Sequence, residues 1–63
     1  MKNGIYKSEN ATFFVKDGKV MMNLKGTYYQ TNENFMLGVS YDKPLTDKME
    51  RSFDNCYEKC NKW

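Results

Sequence analysis

Three kinds of side chain in this 63-residue sequence are able to do chemistry: two thiols, a scatter of carboxylates, and lysines interleaved with aromatic rings. The thiols, Cys56 and Cys60, are four apart, a spacing that puts both on one face of a helix. Two thiolates are half of a four-ligand zinc set, which a second subunit would have to complete; an intermolecular disulfide is the other functional use. The same spacing suits two small apolar residues on a core stripe, where cysteine is commonly buried, and this is the preferred reading. No metal and no cofactor is assigned. There is no histidine, so a nucleophilic triad would need a lysine as its base. No phosphate loop is present. Glu50, Asp54 and Glu58 form an acidic stripe on a solvated helix face. Asp17 sits in a turn, where Asp serves the backbone. No catalytic residue is assigned. The one catalytic arrangement open to the chain is an oligomer that gathers copies of Asp17, or Asp17 with Asp42, around magnesium to nick DNA. Lys16, Lys19 and Lys25 lie close in sequence to Phe14 and Tyr29. Rings beside ammonium groups suit single strands, because bases stack while phosphates meet positive charge.

The elements that must position these groups start from Ala11 to Leu24. Asp17-Gly18 predicts a two-residue hairpin turn, since both positions need positive φ. Val15 then lies opposite Val20, Phe13 opposite Met22 and Ala11 opposite Leu24, all on one face. The other face receives Thr12, Phe14, Lys16, Lys19, Met21 and Asn23. Gly4 to Lys7 reads as a short first strand, with Ser8-Glu9-Asn10 as the turn after it. Lys25-Gly26 is a second turn signal. A two-residue loop there puts Tyr29 with Met22 and Leu24; a three-residue loop puts Tyr28 there, and Tyr28 inside is preferred. Thr27 to Gln30 is the next strand, Thr31 to Asn34 a polar loop, and Phe35 to Tyr41 the last strand of the meander. This pairs Tyr28 near Leu37 and Tyr29 near Met36. Phe14, Met21, Tyr29 and Met36 then share a face that one helix cannot also cover.

Thr46 or Asp47 is a good helix N-cap, Asp47 with Glu50 approximates a capping box, and Pro44 falls where its missing N–H does no harm. Met49, Phe53, Cys56, Cys60 and Trp63 follow as one apolar stripe of an amphipathic helix. The expected fold class is therefore α+β: a four-stranded antiparallel meander followed by one C-terminal amphipathic helix. It is a single domain over residues 1–63. A chain this short is marginal alone, which predicts self-association. The candidate oligomer interface is Met21, Met36, Phe53 and Trp63.

A net charge of +2 is too weak to announce nucleic acid by itself. Met1-Lys2-Asn3-Gly4 is not followed by an apolar run, and no stretch approaches a membrane span, so the expected location is the cytoplasm.

In order and spacing, Phe13-Phe14-Val15-Lys16-Asp17-Gly18-Lys19-Val20, the pair Tyr28-Tyr29, Gly38-Val39-Ser40, Pro44 and the amphipathic helix resemble the positive cofactor four family of transcriptional coactivators. The likeness covers about Ala11 to Cys60. It implies a ββββα fold, dimers, and single-stranded or distorted DNA held by basic hairpins and sheet aromatics. By position, Lys16 and Lys19 become phosphate contacts and Tyr29 or Phe14 a stacking surface, with Lys25 in the next turn. Family members often carry basic residues in the loop before the Gly-Val-Ser equivalent. Thr31-Asn32-Glu33-Asn34 has none. The size and composition also resemble small proteins of phages and mobile elements, some of which counter host defence, including CRISPR systems. The expected function is a small homo-oligomeric DNA-binding protein, with an anti-CRISPR role open to it. The alternative is a non-enzymatic inhibitor that binds a host nuclease or defence protein.

Overall fold

The computed structural model describes every residue from Met1 to Trp63. The chain is α+β, with one helix and a six-stranded mixed sheet. The strands are β1 (Gly4–Lys7), β2 (Ala11–Lys16), β3 (Lys19–Leu24), β4 (Thr27–Thr31), β5 (Ser40–Lys43) and β6 (Asn61–Lys62); the helix is α1 (Asp47–Tyr57). Their order across the sheet is β5-β1-β2-β3-β4-β6. No helix is long and apolar enough to cross a membrane.

The β2–β3 hairpin has the expected register, with Val15 opposite Val20, Phe13 opposite Met22 and Ala11 opposite Leu24. Asp17 and Gly18 both take positive φ (50° and 80°), as the tight turn demands. Gly4–Lys7 is a strand and pairs antiparallel with β2.

The second turn corrects the expected facing of the two tyrosines. Lys25 (φ 51°) and Gly26 (φ 88°) make another two-residue turn, and the Asn23 side chain accepts from the Gly26 N–H at 3.0 Å. Leu24 therefore faces Thr27 and Met22 faces Tyr29. Tyr29 joins the Phe13 face, and Tyr28 takes the Phe14 face.

Phe35 to Tyr41 is not one strand. Asn32 caps a single 3-10 turn over Glu33–Phe35, its side chain accepting from the Asn34 N–H, and Gly38 turns the chain again at φ 69°. Only Ser40–Lys43 is extended, and it pairs with β1, on the far side of the sheet from β4. The connection thus crosses the sheet. It plants Met36 (6% exposed) in a core with Tyr6, Phe13, Val15, Val20 and Met22. Met36 is accordingly on the face opposite to Phe14.

The helix starts as expected, with Thr46 as N-cap accepting from the Met49 N–H. It stops at Tyr57 and does not continue to Trp63. At the break the last carbonyls accept from backbone N–H groups, that of Cys56 from Lys59 and that of Tyr57 from Cys60, and side chains add to these bonds. Gln30 donates to the Tyr57 carbonyl, and the Cys60 thiol donates to that of Cys56. The chain then runs parallel to β4 as β6, and the Trp63 N–H donates to the Gln30 carbonyl. The helix lies over the Ile5, Phe14 and Met21 side of the sheet and buries Phe53 (2% exposed). Each sheet face is thus covered within one chain, one by α1 and the other by the crossing connection.

Candidate nucleic-acid interface

Lys16 and Lys19 face α1. The Lys16 ammonium meets both carboxylate oxygens of Asp54 at 2.7 and 2.8 Å. That hydrogen bonding, helped by the nearby negative charges, holds its pKa above the ordinary 10.5. The Lys19 ammonium stands 5.4 Å from the centre of the Tyr57 ring, which stacks on Phe53 at 5.3 Å. Both lysines expected to meet phosphates thus stand beside the helix, Lys16 paired with Asp54 and Lys19 exposed next to Tyr57. Asp54, expected on a purely solvated acidic stripe, is the partner that claims Lys16.

The remaining expected residues are spread out. Phe14 is half-buried under the helix edge, its ring 6.2 Å from that of Tyr28. Tyr29 lies on the opposite face, edge-on to Trp63 at 5.2 Å. Lys25 is exposed in the β3–β4 turn and makes no ion pair. Met21, Met36 and Phe53, expected at an interface between copies, are all core residues of the single chain; only Trp63, at 56% exposed, is open. Asp17 accepts from the Asn3 side chain, and Asp42 pairs with Lys7 at 3.6 Å. No three His, Cys, Asp or Glu side chains gather to hold a metal.

What the fold does build is a trough along the margin of α1. Its largest part, about 540 Å³, lies between Phe14, Met21 and Tyr28 of the sheet and Lys48, Met49, Phe53 and Cys56 of the helix. A second depression of about 360 Å³ shares Tyr28 and Cys56 with it and adds Gly26, Lys59 and Cys60. A third, of about 330 Å³, lies off the helix: it shares Gly26 with the second and is lined also by Lys7, Glu9 and Lys25. Tyr28 is 41% exposed at the junction of the first two. Lys25, Lys48 and Lys59 are distributed along the run, and none of them makes an ion pair. Glu9 is the one carboxylate that lines it.

Tyr28, Lys48 and Lys59 were not singled out from the sequence. Tyr28 depended on the length of the Lys25-Gly26 loop. Lys48 and Lys59 each line a depression with Tyr28 only because the helix crosses the Phe14 face and breaks before Lys59. Compared with protein-family models, with curated proteins and with solved structures, the chain matches none of them.

Proposed function

We propose that this chain is a small DNA-binding protein that lays a single strand along the trough beside α1. The observation that carries the reading is Tyr28, an exposed ring that lines one depression with Lys48 and another with Lys59, with Lys25 in the turn just before its strand, all three lysines being without ion-pair partners. A base stacks on Tyr28, and flanking phosphates meet Lys25, Lys48 and Lys59. This keeps the general scheme of the positive cofactor four likeness, a sheet aromatic beside a basic hairpin turn, and moves it from Lys16 and Lys19 to the next hairpin. Self-association belongs to the same proposal, as does action in the cytoplasm.

The test is fluorescence anisotropy of a labelled oligonucleotide across a salt series, with duplex DNA as competitor. Three phosphate contacts predict a log–log salt slope of about −2 for a single strand. Replacing Lys25, Lys48 or Lys59 by Gln is expected to flatten that slope by about 0.7 each. Tyr28→Ala is expected to weaken binding by about 1–3 kcal/mol with the slope unchanged. Absence of binding at low salt removes the proposal.

One observation favours a second reading. The inner part of the trough is apolar, with Met21, Met49 and Phe53 beside Phe14. It would seat an apolar side chain of a protein partner, as an inhibitor of a host nuclease or defence protein requires. Co-purification with such a partner, abolished by Met49→Lys while oligonucleotide binding stays absent, separates the two.

A further inference from the structure

Read alone, the two thiols lack a third ligand. The fold supplies one. The Cys60 thiol lies 3.3 Å from the thioether sulfur of Met21, a residue 39 positions away on β3. Cys56 lines the depression it shares with Met21 and also the one it shares with Cys60. We propose that Cys56, Cys60 and Met21 form a three-sulfur site for one soft monovalent ion, Cu(I).

The donor set selects the ion. Two thiolates and a thioether are soft ligands that favour Cu(I), whereas carboxylates and carbonyls suit magnesium or calcium. No carboxylate lines either of these two depressions. Structural zinc asks for four ligands in a tetrahedron, and neither His, Asp nor Glu stands ready as the fourth. With metal–sulfur bonds of about 2.3 Å, two sulfurs on a trigonal ion sit about 4 Å apart. The Cys60–Met21 pair therefore has to open by about 0.7 Å. Met21 is 5% exposed and held by a central strand, so the thioether is fixed. Cys60 follows the helix break, outside regular structure, and has room to adjust.

Binding is a proton exchange without redox change. The two thiols lose their protons, two Cu–thiolate bonds form, and Met21 donates a lone pair. Burial, with a smaller contribution from Cys56, pushes the Cys60 thiol above its ordinary pKa of 9.0. This inference stands apart from the DNA-binding reading, since its test contains no nucleic acid.

The experiment is an anaerobic titration of the reduced chain with Cu(I) supplied as its bicinchoninate complex, followed by X-ray absorption of the copper-loaded chain. The expected result is one Cu(I) withdrawn per chain, with three sulfur scatterers around it. Cys56→Ser and Cys60→Ser, and also Met21→Leu, which keeps the side-chain volume, are each expected to weaken retention by at least tenfold. A spectrum with two sulfurs, one copper per two chains, no copper withdrawn, or Zn(II) held as tightly as Cu(I) would each overturn the site. The absorption spectrum of the unsubstituted chain decides the matter even if Met21→Leu fails to fold.

Discussion

Lys16 shows how a single ion pair redirects a side chain. A lysine next to a hairpin turn is free to meet phosphate only if nothing nearer claims it, and Asp54 claims it with both oxygens. The pair has a consequence with pH. Lys16 titrates above 10.5 in the folded chain, so its contribution is complete below 10.5 and is lost as pH rises through the folded value. Cys60 acts in the same direction from a lower start. Its neutral thiol is favoured when folded, so stability falls once pH passes 9.0, where the unfolded thiol begins to ionise. Melting temperatures followed by circular dichroism from about pH 8 to about 11 are expected to decline in two stages. Cys60→Ser should remove the earlier stage and Asp54→Asn the later one. A variant that declines just as the parent does would detach that residue from the effect.

At the scale of elements, the two tight turns set what faces what. Lys25 holds positive φ, a conformation that Asn adopts several-fold more readily than most residues. Lys25→Asn is expected to raise the melting temperature by about 2–4 °C, corresponding to about 0.5 kcal/mol. Gly26→Ala is expected to cost about 1 kcal/mol from backbone strain alone, because a Cβ there would meet nothing within 4 Å. Thermal melts of both variants check the turn. The hairpin from Ala11 to Leu24 was legible because Asp17-Gly18 states its turn type and the apolar residues alternate on either side. Lys25-Gly26 was ambiguous because lysine does not advertise positive φ, and the ambiguity carried Tyr28 and Tyr29 to the wrong faces. Phe35 to Tyr41 alternates like a strand, yet Asn32 and Gly38 bend it away; the alternating Phe35, Leu37 and Tyr41 stay exposed, and Met36 between them is the residue that is buried. The spacing of Cys56, Cys60 and Trp63 continues the helical period past Tyr57. The chain leaves that period because β4 offers an edge and Gln30 offers a cap to the last carbonyl. None of these long-range partners is visible in local pattern. The trough beside α1 was illegible for the same reason.

For the whole molecule, the small size leaves little reserve. Ten of its residues are buried, split between the two faces of one sheet. A domain of this length has a net stability of about 3–9 kcal/mol. Phe53 is the one buried residue of α1, and Phe53→Ala is expected to cost about 3–5 kcal/mol. Urea unfolding should find that variant's midpoint well below the parent's; a midpoint near the parent's would mean that the helix is held by Lys16, Lys19 and Gln30 instead. The strand order has a further consequence, for the time course of synthesis. β1 to β4 are consecutive in sequence and adjacent in space, so they can pair as soon as Thr31 has left the ribosome. The two strands that flank them, β5 and β6, lie on opposite sides and are both made later. A nascent chain therefore carries a meander with two bare flanks. The interval before Asn61 and Lys62 emerge is the one in which a neighbouring nascent chain competes for those edges.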